Sequence, residues 1–115
     1  MAYLAYIIGE IPENITIKCR QNFQNAQFFL EKKGFTVINP LKNLTNKRIK
    51  FEDAKKINFR QLINCNVVYV LPSISFENTR NAELLLALKL NMLIIQDSLN
   101  LTETEEIEEF AILQE

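Results

Sequence analysis

The chain has 115 residues and a net charge of −1 at neutral pH, with 48% hydrophobic and 23% charged residues. This length predicts a single domain over residues 1–115, and the composition is that of an ordinary globular protein. The near-neutral charge argues against binding a nucleic acid polymer, which requires a strongly basic surface. No apolar run approaches the roughly 20 residues of a membrane-spanning helix, so we expect no association with a membrane.

The residue types that are missing limit the available chemistry. The chain has no histidine, which excludes a Ser-His-Asp or Cys-His mechanism and a histidine-ligated metal within one chain. Acid–base chemistry then falls to carboxylates, tyrosines or lysines. Cys19 and Cys65 lack CxxC spacing, so we expect free thiols in a reducing cytoplasm, with no metal site and no cofactor. We interpret Cys65 as a small buried hydrophobic residue rather than a reactive thiol.

Apolar segments of two kinds alternate along the chain. Continuous apolar runs such as residues 3–8 predict buried strands, and apolar residues three or four apart predict helices with one buried face. Gly34 stands where a C′ glycine ends a helix, and Asn91 interrupts the third helical segment. Residues 41–50 are polar and without a clear period, which predicts a loop. The predicted strands are 3–8, 35–38, 67–71 and 92–95, and the predicted helices are 15–33, 51–63, 79–90 and a last one opened by the capping box at 102–105.

The order βαβαβαβα predicts an α/β domain with a mainly parallel sheet of about four strands, covered on both faces. In such a sheet the loops after successive strands lie along one edge, so Gly9, Asn39-Pro40 and residues 73–79 are expected to line a common crevice. The third helix is apolar around most of its girth. Either neighbouring elements or a second subunit must cover it, and we favour a homodimer or higher homo-oligomer through this helix.

Glu83 is the most informative residue, because it is the single carboxylate in the apolar third helix. Ligands of open α/β sheets bind beyond the carboxyl ends of the strands, where a lone glutamate can act as nucleophile, base or hydroxyl anchor. The alternative is a solvent-exposed glutamate that is favoured in the first helical turn by the helix dipole. Tyr6, taken alone, is interpreted as an ordinary buried aromatic side chain of the first strand.

Several segments resemble those of a known family when they are taken in order. They are Tyr6-Ile7-Ile8-Gly9, Asn22-Phe23 with Ala26, Gly34-Phe35 with Asn39-Pro40, Cys65-Asn66, Leu71-Pro72, and Ala82-Glu83 with Ala87. Together they resemble the nucleoside 2-deoxyribosyltransferase superfamily, especially small bacterial and phage members whose first strand ends Tyr-Ile-Ser-Gly-Pro. The resemblance covers residues 3–95. It implies a single-domain, three-layer, flavodoxin-like (Rossmann-like) fold that binds a nucleoside or nucleotide.

The resemblance also implies residue roles. In that superfamily a glutamate attacks C1′ of the deoxyribose, the base leaves, and a second base or water resolves the glycosyl-enzyme. Glu83 stands at the position of this nucleophile, Tyr6 at that of a tyrosine that orients it, and Glu77 at a position that contacts the sugar. Asn58 and Asn66 stand where the family has aspartates, and an amide can hydrogen-bond a base but cannot give a proton to a leaving purine. These two amides argue against full enzymatic activity.

The loops depart from the family pattern as well. The first loop reads Ile8-Gly9-Glu10 rather than Ser-Gly-Pro, and Thr79, Arg80 and Asn81 replace small residues before the glutamate. A phosphate would be repelled by Glu10 and attracted by Arg80. The candidate substrate-binding residues are Gly9, Asn58, Asn66, Glu77 and Arg80.

Three functions stay open at this point. The first is an enzyme that cleaves or transfers at the N-glycosidic bond of a deoxynucleoside or its 5′-monophosphate, with Glu83 and Tyr6 as its catalytic residues. The second is a non-catalytic nucleotide-binding sensor or regulator with a degenerate active site. The third is an oligomeric interaction module that uses the apolar third helix and the acidic last helix. We favour a deoxyribosyltransferase-like protein and leave turnover open.

Overall fold

The computed structural model describes residues 3–72 and 81–96. In this part of the chain four strands form one parallel sheet in the order β2-β1-β3-β4. The predicted α/β architecture with a parallel four-stranded sheet is therefore confirmed, and the strand order is consistent with a flavodoxin-like fold. The elements are β1 (Leu4–Ile8), α1 (Ile17–Lys32), β2 (Thr36–Ile38), α2 (Leu41–Leu44), α3 (Phe51–Ile63), β3 (Val67–Val70), α4 (Ala82–Lys89) and β4 (Leu93–Gln96).

Helices cover both faces of the sheet. Side chains alternate between the two faces along a strand, so β1 sends Ala5 and Ile7 to one side and Tyr6 and Ile8 to the other. The first side packs on the buried residues of α1, and the second packs on α3 and α4. The two central strands, β1 and β3, are thus buried on both faces, which explains their uninterrupted apolar sequences.

Two of the helices end in the same way, and this sets where the next strands begin. Gly34 after α1 and Asn91 after α4 both adopt left-handed backbone, with φ of 94° and 54°. After Gly34 the N–H of Phe35 donates to the carbonyl of Leu30 at 3.1 Å, and the residue after Asn91 makes the equivalent bond at 3.0 Å. Both are Schellman ends. The predicted roles of Gly34 and Asn91 are confirmed.

One predicted loop contains a short helix. Residues 41–50 have no sequence period, yet α2 forms one turn at their start. Asn39 Oδ1 accepts from the N–H of Leu41 at 3.0 Å, and Thr45 Oγ1 donates to the Leu41 carbonyl at 2.7 Å. Polar side chains thus hold both ends of a turn that is too short to show a hydrophobic period, which is why the loop prediction was wrong here.

The helix α4 buries a single face. Leu84 and Ala87 are buried, whereas Leu85, Leu88 and Leu90 are 37%, 38% and 48% exposed. The predicted apolar excess on this helix is therefore present at the surface of the described chain. No helix in residues 3–72 and 81–96 is long and apolar enough to cross a membrane. The predicted last helix, the residues 73–79 of the expected crevice, and the first residues of the predicted third helix lie outside the described residues.

Candidate functional site

A cavity of about 520 Å³ lies at the edge of the sheet where β1 ends and α4 begins. Sites for small molecules commonly measure roughly 300–1,000 Å³, and open α/β sheets bind ligands at this edge. We call it the Glu83 cavity. It is lined by Gly9, Ile11, Pro12, Glu13, Leu44, Phe51, Lys55, Asn58, Phe59, Asn81, Ala82 and Glu83.

A hydrogen bond joins the two predicted catalytic residues. Tyr6 lies in the middle of β1 with its side chain on the sheet face that α3 and α4 cover. Its hydroxyl donates to Oε2 of Glu83, the second residue of α4. The phenol is buried, while the carboxylate lies at the cavity wall and is partly exposed. The alternative of a fully solvent-exposed Glu83 is therefore wrong, and Tyr6 is both a core aromatic residue and the partner of Glu83.

Asn81 determines where α4 begins and so where Glu83 stands. Its Oδ1 accepts from the N–H of Leu84 at 3.0 Å, which makes Asn81 the N-cap of the helix. Glu83 then falls in the first turn, at the positive end of the helix dipole. In the sequence this asparagine stands where the resembling family has a small residue, and in the structure it caps α4 at the cavity wall.

The electrostatics of the pair follow from burial. Burial raises the pKa of Glu83, because it disfavours the charged carboxylate, and the hydrogen bond from Tyr6 acts in the opposite direction. The pKa of Tyr6 is raised, first by burial and then by the negative charge and hydrogen bond of Glu83. Tyr6 therefore keeps its proton at neutral pH and acts as a fixed donor to the carboxylate.

Gly9 is required by lack of space. A Cβ at this position would lie 2.6 Å from Cδ1 of Leu71 and 2.8 Å from Cζ of Phe23. Both neighbours are buried core residues with little room to move. A residue with a Cβ here would therefore force Leu71 or Phe23 to move, and Gly9 lines the cavity as backbone.

Asn58 lines the cavity from α3 and is already hydrogen-bonded on both sides of its amide. Its Oδ1 accepts from Asn43 Nδ2 at 2.8 Å, and its Nδ2 donates to the carbonyl of Pro40 at 3.3 Å. The side chain is only 4% exposed. The structure thus places Asn58 with Glu83, Tyr6 and Gly9 at one site.

Asn66 is not part of this site. It directly precedes β3, at the amino end of the sheet, where its Oδ1 accepts from the N–H of Leu4 at 2.8 Å. The Glu83 cavity lies at the carboxyl end of the same strands, about four residues or roughly 13 Å away along β3. The structure therefore separates Asn66 from the other candidates, because a single strand carries its two ends to opposite edges. Glu77 and Arg80 lie outside the described residues.

The loop after β2 does not line the Glu83 cavity, which corrects the expectation of a common crevice. Asn39 instead lines a separate concavity of about 430 Å³ between α1 and α2. The short helix α2, which follows this loop, contributes Leu44 to the cavity wall. Pro40 reaches the site indirectly, through its carbonyl bond to Asn58.

The helix α3 provides a wall of the cavity that was not predicted from the sequence. Phe51, Lys55 and Phe59 are spaced four residues apart, so they lie on one face of α3 together with Asn58. Phe51 is 54% exposed, and the Nζ of Lys55 lies 4.6 Å from the centroid of its ring. The helical spacing was visible in the sequence. What it could not show was that this face looks onto a cavity rather than open solvent.

The two cysteines do not extend the site. Both are free and buried. Burial raises the pKa of Cys65 to about 11 and also raises the pKa of Cys19, so both thiols stay protonated at neutral pH. The interpretation of Cys65 as a buried hydrophobic residue is consistent with this. Within the described ranges, no group of three or more Cys, Asp or Glu side chains is arranged to hold a metal ion.

Comparison with known proteins adds a family. Residues 3–96 match the model of a family described as Domain of unknown function (DUF4406). This range contains the whole described sheet together with Tyr6 and Glu83. No curated protein and no solved structure gives a significant match.

Proposed function

We propose that the chain, which belongs to the family described as Domain of unknown function (DUF4406), binds a nucleoside or nucleotide in the Glu83 cavity. We further propose that it cleaves or transfers the N-glycosidic bond of that ligand with Glu83 as nucleophile. The observation that carries the proposal is the hydrogen bond from the buried Tyr6 hydroxyl to Glu83 at the wall of a cavity of small-molecule size.

The pair is suited to a two-step displacement. In the first step an oxygen of Glu83 forms a bond to C1′ of the sugar, and the base leaves with the electrons of the C–N bond. In the second step water or another base attacks C1′ and releases the carboxylate. Tyr6 orients the carboxylate and, because its own pKa is raised, does not lose its proton to Glu83. A donor of this kind stabilises the charged Glu83 carboxylate before it attacks C1′ and again after it has been released.

The α3 wall supports recognition of a flat, partly charged ligand. Phe51 and Phe59 offer aromatic surface for a nucleobase, and Lys55 supplies an ammonium group on the same face. Glu13 faces the cavity from the loop after β1. Among the described lining residues, this mixture of rings, one cation and carboxylates fits a nucleoside or a nucleotide with few phosphates better than a highly charged polyphosphate.

A non-catalytic nucleotide-binding role is the second candidate, and Asn58 is the observation that favours it. The amide has no acidic proton to give to a leaving base, and it is already bonded to Asn43 and Pro40. Asn66 does not bear on this choice, because it lies at the opposite edge of the sheet. In this case the cavity binds the ligand without releasing base.

The exposed leucines of α4 support a homo-oligomer in either case. Leu85 and Leu88 of α4, with Leu90 at its C-cap, leave apolar surface exposed, and a second copy of the chain is the partner that we propose for it. The two free, protonated thiols fit a reducing compartment, and we propose the cytoplasm.

Base release separates the catalytic from the non-catalytic proposal. The purified protein is incubated with 2′-deoxynucleosides and their 5′-monophosphates, with and without a second base, and free base is measured by chromatography. Glu83→Gln keeps the shape of the side chain and removes the nucleophile. We expect release by the wild-type protein and none by the variant. Equal release by both would refute the nucleophilic role, and thermal stabilisation by the same ligands without any release would support the binding role.

A further inference from the structure

A cluster of amides lies behind the α3 wall of the Glu83 cavity. Asn58 Nδ2 donates to the carbonyl of Pro40 at 3.3 Å, and Asn58 Oδ1 accepts from Asn43 Nδ2 at 2.8 Å. The same Asn43 Nδ2 donates to Oε1 of Gln61 at 3.0 Å. We call Pro40, Asn43, Asn58 and Gln61 the amide cluster. It ties the short helix α2 and the residue before it to α3.

The Pro40 carbonyl fixes the polarity of the amide cluster, by which we mean which amide group donates and which accepts in each hydrogen bond. A main-chain carbonyl can only accept, so the atom of Asn58 that faces Pro40 must be its NH₂ group. This turns Oδ1 of Asn58 towards Asn43, which must then present its own NH₂ group. Reversing Asn58 would bring two acceptors together at Pro40 and two donors together at Asn43, and buried groups that lose their partners are costly.

We propose that Asn43 and Gln61 are positioning residues for the Glu83 cavity, acting through Asn58, and that the Pro40 carbonyl fixes the orientation of the whole cluster. Asn58 lines the cavity, whereas Asn43, Pro40 and Gln61 do not. The cluster therefore gives Asn58 one orientation towards a ligand and holds α2, which supplies Leu44, against α3. This inference is independent of the proposed function, since it concerns how the wall is built.

The cluster explains why position 58 carries an amide rather than an acid. An ionised carboxyl there would face the Pro40 carbonyl in a site that is only 4% exposed. It would also share the cavity with the carboxylates of Glu13 and Glu83, the latter bonded to Tyr6, whereas Lys55 is the cationic side chain among the described lining residues. Among its neighbours in the described part of the chain, Asn43 and Lys55 favour the charged form, whereas the Pro40 carbonyl and the carboxylates of Glu13 and Glu83 oppose it. The carboxyl is therefore expected to keep its proton and donate it to Pro40, which leaves it unable to act as acid or base towards a ligand.

Three amide-to-acid substitutions test the polarity. In Asn58→Asp the ionised carboxylate has no proton to donate to the Pro40 carbonyl. In Asn43→Asp the ionised carboxylate cannot donate to Oδ1 of Asn58, and Asn58 cannot turn to compensate because its NH₂ group is held by Pro40. Gln61 takes part in the amide cluster as an acceptor, through Oε1, and a glutamate carboxylate accepts in the same way. Gln61→Glu is therefore the matched control. A group whose pKa is raised in the folded state contributes stability at low pH and loses it as the pH rises through that value.

The measurement is urea unfolding of each variant and the wild type at about pH 4.5 and about pH 7.5, two values that bracket the titration of a moderately raised carboxyl. Relative to wild type, we expect the urea midpoints of Asn58→Asp and Asn43→Asp to fall as the pH rises. The midpoint of Gln61→Glu is expected to stay close to the wild-type value at both pH values. Equal losses in all three, or the largest loss in Gln61→Glu, would overturn the fixed polarity.

Two features keep the test decisive. If Asn58→Asp does not fold, Asn43→Asp against Gln61→Glu decides alone, because both residues are half-buried and both contact the same network. No ligand is used, so an absence of nucleoside binding or turnover leaves the result unaffected. A purely structural role with no set polarity would give losses that do not depend on which amide is replaced or on pH.

Discussion

Removing the hydroxyl of Tyr6 isolates the interaction on which the site depends. Tyr6→Phe leaves the ring in the core and deletes the donor to Glu83. A hydrogen bond to a charged group contributes about 1.5–3 kcal/mol to stability. Because the lost bond favoured the carboxylate, the pKa of Glu83, already raised by burial, is expected to rise further in the variant.

The sign of the stability change follows from this direction. Burial holds the folded-state pKa of Glu83 above its unfolded value, so its contribution to stability is present at low pH and is lost as the pH rises through the folded value. Tyr6→Phe enlarges that loss. We expect the variant to lose about 1.5–3 kcal/mol near neutral pH and less in acid, where the protonated Glu83 needs the donor less.

Urea unfolding of four proteins measures this effect: wild type, Tyr6→Phe, Glu83→Gln and the double variant. With a slope of about 1–3 kcal/mol per molar urea, the midpoint of Tyr6→Phe is expected to fall by about 1 M near neutral pH. The double-mutant cycle should give a coupling energy above about 1 kcal/mol for the pair. A coupling near zero, or a loss of the same size at acid and neutral pH, would refute the argument that Tyr6 stabilises a charged Glu83.

Three further predictions concern the frame of the site and its surface. Gly9→Ala should lower stability by about 1–3 kcal/mol in urea unfolding, because the Cβ of the alanine would overlap Leu71. An unchanged midpoint would contradict the tight packing. Asn81→Ala should cost about 1 kcal/mol by loss of the N-cap while Asn81→Ser keeps most of it, and equal losses in the two would argue against capping. Leu88→Glu should convert an oligomer into monomer in sedimentation velocity without loss of folding, and a wild-type protein that is already monomeric would contradict the α4 interface.

The parts of the fold that sequence reasoning predicted best have a strong period or a distinctive end residue. The helix α3 was predicted with the same bounds that the structure shows, because its apolar positions recur at helical spacing. The ends at Gly34 and Asn91 were visible because left-handed backbone favours these residue types. The turn α2 was missed, since one helical turn held by the side chains of Asn39 and Thr45 leaves no period.

The Tyr6–Glu83 pair could be picked out from the sequence, whereas the wall that α3 provides could not. Tyr6 and Glu83 were singled out together through the family resemblance, and the structure joins them by a hydrogen bond although they are far apart in the chain. Asn58 lines the cavity, and its role in binding a substrate stays a prediction. Its bonds to Asn43 and Pro40 depend on how α2 packs, which no local pattern encodes. The exclusion of Asn66 required knowing which end of β3 faces the cavity.

The most direct test of the account is a search for a sugar ester on Glu83. The protein is mixed with a 2′-deoxynucleoside that gives base release, quenched in acid within the first turnover, and digested for mass spectrometry. We expect a deoxyribosyl mass on the peptide that contains Glu83, absent from Glu83→Gln and reduced in Tyr6→Phe. Base release with no adduct on that peptide, or an adduct on another residue, would contradict Glu83 as the nucleophile.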